Sequence, residues 1–164
     1  MKILKSIFLL SFLVVTVSSC GYQLRGSLDI DGLENVKVVA SNSNTIAILL
    51  QKKILSYKDD NTVTQSKYPV VKISNLESST RQLSVNSSGR VDEYEISKKL
   101  DYEFVFSETE TLKGSLKASA SYDFDESQMQ GTREKENIAN NSIDQRLLRK
   151  LLLRLKAALR LKET

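Results

Sequence analysis

The 164-residue chain has no histidine, no tryptophan, one cysteine and one proline. Without histidine there is no Ser-His-Asp or Cys-His triad and no imidazole-ligated metal. A single cysteine makes no intrachain disulfide, no Cys-x-x-Cys redox pair and no thiolate zinc site. Most hydrolase and metalloenzyme chemistry is thereby excluded, and no cofactor is implied. No internal repeat or low-complexity tract divides the chain, and its length fits one domain. Composition is otherwise ordinary for a globular protein, 40% apolar and 27% charged, with a formal net charge of +4.

What is present begins at the first residues. Lys2 and Lys5 form a short basic region, and Ile7 to Val17 is an apolar run of 11 residues broken only by Ser11 and Thr16. A spanning helix needs about 20 apolar residues, so this run reads as a secretory signal peptide. The ending Val17-Ser18-Ser19-Cys20 resembles the lipobox of bacterial lipoproteins. That resemblance implies removal of residues 1–19 and acylation of Cys20; the alternative is a plain signal peptide with an incidental cysteine. Gly21 follows the cysteine where Asp is absent, which by likeness to enterobacterial lipoproteins favours the outer membrane. Several acyl chains on one terminus anchor stably, since each buried CH₂ contributes about 0.8 kcal/mol.

The mature chain, 20–164, retains 22 basic and 20 acidic side chains. Val36, Val38 and Val39 predict a short strand. Capping residues at 41–44 precede Ile46, Leu49, Leu50 and Ile54 at helical spacing, predicting a helix over about 44–57. Val70, Val71 and Ile73 open a second strand after Pro69, extending towards Leu83. Asn86-Ser87-Ser88-Gly89 is a turn. Beyond it Tyr94, Ile96, Leu100, Tyr102, Phe104 and Phe106 alternate with polar residues, and only Lys98 breaks the apolar row. Leu112, Leu116, Ala118, Ala120, Tyr122 and Phe124 repeat the pattern, so 90–124 reads as a long antiparallel hairpin. A polar stretch, 125–137, leads to Ile143, Leu147, Leu151, Leu155 and Leu159, which recur every four residues and predict a last helix reaching about Leu161. The expected fold class is α/β, α+β-like: one four-stranded mixed sheet with two helices packed on one face, in the order β-α-β-β-β-α.

Charge is polarised along the chain. Residues 133–164 hold nine basic and four acidic side chains, whereas 20–132 hold 13 basic and 16 acidic. A solvated helix face with cations near its C-terminus accounts for most of this. Nucleic acid is not an expected partner, because the chain is exported and its aromatics alternate with carboxylates. Asp123, Asp125 and Glu126 admit a paired-carboxylate reading as in glycosidases, without any sign of a raised pKa. Asp29-Ile30-Asp31-Gly32 resembles a fragment of a calcium loop whose other ligands are missing.

The mature start, Cys20-Gly21-Tyr22-Gln23-Leu24-Arg25-Gly26, is similar to the opening of the LptE family of outer-membrane lipopolysaccharide-assembly lipoproteins. Three further pieces match in order: Gly89 to Tyr94 entering a long strand, Tyr122 to Met129 leaving the last one, and the basic Leu-rich helix. The resemblance implies a non-enzymatic plug inside an LptD-type β-barrel that helps the barrel assemble and binds lipopolysaccharide. The family places basic residues in the turn before the long strand and in the segment before the last helix. Here the second position matches Arg133, with Lys135 beside it; the turn has Ser87 where a basic residue is expected, and Arg90 just after. Arg133, Lys135 and Arg90 are thus the lipopolysaccharide candidates, in a setting where a helix N-terminus would also favour anions. The alternative is a free-standing periplasmic lipoprotein that binds another envelope ligand or acts as a chaperone.

The lipobox generates a direct test. Mass spectrometry of the membrane-extracted protein is expected to show an N-terminus at Cys20 carrying acyl chains; an unmodified N-terminus elsewhere rules this out. Cys20→Ala should leave the domain folded, because Cys20 precedes every predicted core element.

Overall fold

The computed structural model describes residue 33 and residues 35–40, 44–56 and 67–162. The signal segment, Cys20 and the Asp29–Gly32 run lie outside the described residues. The elements are β1 (Lys37–Ala40), α1 (Thr45–Leu55), β2 (Val70–Val85), β3 (Val91–Val105), β4 (Thr111–Asp123), a short 3₁₀ turn (Glu126–Gln128) and α2 (Met129–Arg160). They form the expected mixed four-stranded sheet in spatial order β1-β2-β3-β4, with β1 parallel to β2 and the other pairs antiparallel.

α1 starts where its sequence caps it: the Asn44 carboxamide oxygen accepts from the Ile46 N–H at 2.9 Å. Its apolar stripe, Ile46, Leu50 and Ile54, is buried. The row predicted on β3 faces the core: Ile96, Leu100, Tyr102 and Phe104 are all 5% exposed or less. Leu116 and Ala118 of β4 and the α2 residues Ile143, Leu147, Leu151 and Leu155 close over them. β2 carries a register shift between Ile73 and Asn75 that changes which parity faces inward. Before it, Val71 and Ile73 are buried; after it, Leu76 lies opposite Leu100. Gly114 lies opposite Tyr102, and a Cβ there would fall 2.6 Å from Tyr102 Cζ, so the ring crosses the strand where no side chain interferes.

Lys98, the one charge in the β3 row, is not a defect. Its Nζ lies 2.7 Å from Asp144 Oδ1 of α2, and the two side chains are only 12% and 9% exposed. Two buried opposite charges are tolerable together and costly apart.

The last helix begins earlier than the leucine spacing predicts. α2 covers 32 residues from Met129, so Arg133 and Lys135 lie inside it rather than in a polar segment before it. The first three turns hold few apolar residues and gave no periodic signal. They are held by local bonds instead: Thr132 Oγ1 bonds the backbone of Asp125 at 3.1 Å, and Asp125 caps the preceding turn by accepting from the Ser127 N–H at 2.9 Å.

Lys98→Met alone is expected to lower unfolding free energy by roughly 3–5 kcal/mol, because Asp144 is left buried and unpaired. Adding Asp144→Leu should recover most of that loss. Urea denaturation of the two single variants and the double closes the cycle.

Candidate functional site

Arg90 and Lys135 lie at one end of the sheet, where the β2–β3 turn, the end of β4 and the start of α2 converge, and Arg133 stands on the first turns of α2 at the same end. The turn is built by its own residues. The Gly89 N–H donates to the Asn86 carbonyl at 2.9 Å, and the Asn86 carboxamide oxygen accepts from the N–H groups of Ser88 and Arg90 at 3.0 and 3.1 Å. Gly89 sits at φ +75°, where a side chain would be strained. The Phe124 N–H then donates to the Asp92 carbonyl at 2.8 Å, joining the two hairpins at this end.

Arg90 and Lys135 are each already met by a carboxylate. Arg90 Nη1 lies 3.5 Å from Glu126 Oε2, and Lys135 Nζ lies 3.1 Å from Asp123 Oδ2. All four side chains are roughly half-exposed or more. Such pairs are worth about 0–1 kcal/mol each, so breaking them costs little. Arg133 is exposed and makes no ion pair among the described residues. As an interior residue of α2 it has no free helix N–H groups beside it, so the dipole support expected from the sequence is absent.

The same end of the sheet holds an aromatic trio. Tyr94 stacks on Tyr122 at 5.9 Å between ring centres and meets Phe124 edge-on at 5.2 Å. All three are half-buried. Burial raises the Tyr122 phenol pKa, with the negative charge of Glu136 and the Tyr94 phenol adding to it. Cations and partly exposed rings thus occur at the same end of the sheet, a combination that suits a ligand carrying both phosphate and hydrocarbon. The alternating pattern placed these rings on the core face; it did not reveal that they crop out at the same end as the cations, because that depends on where α2 begins.

The paired-carboxylate reading finds no support here. Asp125 accepts from the Ser127 hydroxyl at 2.6 Å and from its N–H, which hold the carboxyl below its ordinary pKa, the opposite of what a general acid needs. Asp123 and Glu126 are engaged by Lys135 and Arg90. Among the described residues no helix is long and apolar enough to cross a membrane.

Solved structures share this architecture. The rare lipoprotein B of Shewanella oneidensis superposes with a TM-score of 0.62 at 13% identity, covering 77% of this chain and 96% of that one. Lipoprotein B of Nitrosomonas europaea gives 0.60 at 18% identity, covering 80% and 88%. A minor lipoprotein of Acinetobacter baumannii gives 0.52 at 12% identity, covering 75% and 90%. At these identities the likeness establishes the fold. No curated protein matches the chain in sequence. The sequence profile of one family, described as lipopolysaccharide-assembly, matches residues 21–155, which include every strand, both helices down to their last turns and the whole cation-and-aromatic end of the sheet. On that match the chain belongs to the LptE family of lipopolysaccharide-assembly proteins.

Proposed function

We propose that the protein is an outer-membrane lipoprotein, anchored by acylated Cys20, that plugs and helps assemble an LptD-type β-barrel and binds lipopolysaccharide on its way to the outer leaflet. Its domain lies on the periplasmic side and within the barrel lumen. The family match over residues 21–155 carries this reading. Shape and surface support it. β2 has 16 residues and α2 has 32, so each extends about 50 Å, the proportions of a rod that fills a lumen. The solvent face of the sheet is largely neutralised within itself: Arg81 pairs with Glu95, Lys72 and Lys113 with Glu103, and Lys99 with Glu77 and Asp101. Few charges are left there for a partner, while Leu83 and Val85 near the tip of β2 remain exposed. Shape and apolar burial, as in large permanent interfaces, therefore hold the barrel contact.

The complex with the barrel should survive salt near 1 M, where the Debye length is about 3 Å. Affinity purification from outer membranes at low and high salt tests this. Loss of a co-purifying barrel only at high salt would mean an electrostatic interface. Absence of any large β-barrel at either salt would favour the free-standing lipoprotein.

Lipopolysaccharide phosphates bind Arg133, helped by Lys135 and Arg90, with Tyr94, Tyr122 and Phe124 beside them. A charge-assisted bond is worth roughly 1.5–3 kcal/mol, less where exposed. Arg133→Asp with Lys135→Glu is expected to weaken lipopolysaccharide binding about tenfold or more, 1.4 kcal/mol being one decade. The matched control is Lys37→Glu with Lys52→Glu, which makes the same charge change on β1 and α1. Equal losses in both, measured by titration with purified lipopolysaccharide, would mean diffuse charge rather than a site.

A further inference from the structure

The basic face of α2 does more than meet solvent. β4 is an edge strand, and its outward carbonyls are taken by the helix: Lys150 Nζ donates to the Lys117 carbonyl at 2.6 Å, and Arg146 Nη1 to the Ser119 carbonyl at 3.0 Å. Beside this latch, helix and strand leave a cleft of about 440 Å³ lined by Ser115, Leu116, Lys117, Lys150, Leu153 and Arg154. Lys150, Leu153 and Arg154 fall at i, i+3 and i+4 and share one helix face. The lining holds three cations and no carboxylate.

Of the other described cations Lys67, Lys72, Arg81, Lys99, Lys113 and Lys135 each meet a carboxylate, while Arg133 and Arg149 meet none among the described residues; the cleft differs in bringing three cations to one concavity. Lys117 and Arg154 make no ion pair among the described residues. Glu95, which feels Lys117, is already bonded to Arg81 at 2.6 Å. Lys150 spends one of its three N–H groups on the Lys117 carbonyl and keeps two. Lys150 and Arg154 stand together on the helix side, and Lys117, on the sheet face that carries Lys99, borders the cleft from the strand; like charges so placed favour an anion between them. At the lip Leu153 is 59% exposed, an apolar side chain with nothing of the protein over it.

We propose that this cleft is a second anion site, separate from the Arg133 end, that takes the headgroup of a net-anionic lipid with a single phosphate: Lys117, Lys150 and Arg154 hold the headgroup and Leu153 meets the first part of a chain. The volume suits a headgroup and a short length of hydrocarbon rather than a multi-chain glycolipid. The inference does not depend on the proposed barrel partner or on the Arg133 assignment.

The test uses the membrane-extracted chain in neutral detergent, with native mass spectrometry to count bound lipid. Three probes are compared: phosphatidylglycerol, phosphatidylcholine and inorganic phosphate. Phosphatidylglycerol should bind best. Lys117→Gln with Arg154→Gln should weaken it tenfold or more, Leu153→Ser should weaken it without affecting phosphate, and Lys37→Gln with Lys52→Gln, on β1 and α1, should leave it unchanged. Should the double glutamine variant melt early, Arg154→Gln alone serves, since that side chain makes no hydrogen bond within the described protein and should still cost several-fold. Undiminished phosphatidylglycerol binding in the cleft variants overturns the site. Equal binding of phosphatidylcholine, or full competition by inorganic phosphate, overturns the lipid assignment. Equal loss in the Lys37→Gln with Lys52→Gln variant means diffuse charge and overturns the site.

Discussion

The buried pair between Lys98 and Asp144 fixes how the long helix lies on the sheet. The apolar stripe of α2 repeats every four residues through Ile143, Leu147, Leu151 and Leu155, so a slip of one turn, about 5.4 Å, would leave leucines still facing apolar rows. Packing alone therefore distinguishes the registers weakly. A slip would strand an ammonium and a carboxylate in a dry interface, at a cost of several kcal/mol. With the helix set there, its other contacts follow along the sheet: Thr132 and Lys135 at one end, Arg146 and Lys150 along the β4 edge, and Lys162 against Glu110 and the Phe106 ring at the other end.

The two edges of the sheet are treated differently. The β4 edge is closed by cations that reach across from α2 to its carbonyls. On the other side β1 covers β2 from Val70 to Ile73, and among the described residues the rest of β2 pairs on one side only. The uncovered stretch is protected by polar side chains on both faces, Ser78, Thr80 and Gln82 on one and Glu77, Ser79 and Arg81 on the other. A hairpin arm of this kind, neutral in sum and apolar only near its tip, presents an extended polar surface to whatever surrounds it.

Much of this was legible in the chain itself. Alternation over 94–106 and 112–124 located β3 and β4 and their inward faces, and the four-residue leucine spacing located the packed part of α2. Lys98 stood out as an exception, but its partner is 46 residues away and no local pattern links the two. The start of α2 was missed because its first turns are held by Thr132, Asp125 and Lys135 through hydrogen bonds to the end of β4, interactions without a period. The course of β2 past Ile73 was blurred for a related reason: the register shift inverts the parity of the pattern, and β3 rather than a buried face keeps the strand extended. Arg90 and Lys135 lie at the same end of the sheet, and the carboxylates that meet them became visible only in three dimensions.

The burial along α2 is uneven. From Ala139 to Ala158 nine side chains are buried, but before Ala139 only Thr132 is. The helix is therefore continuous in hydrogen bonding and divided in stability. Amides between Ile143 and Leu155 are expected to exchange with solvent only on global unfolding, and those of the first three turns by local opening that breaks few core contacts. Arg133 and Lys135 stand on that lightly packed part, so a shift of either side chain leaves the core intact.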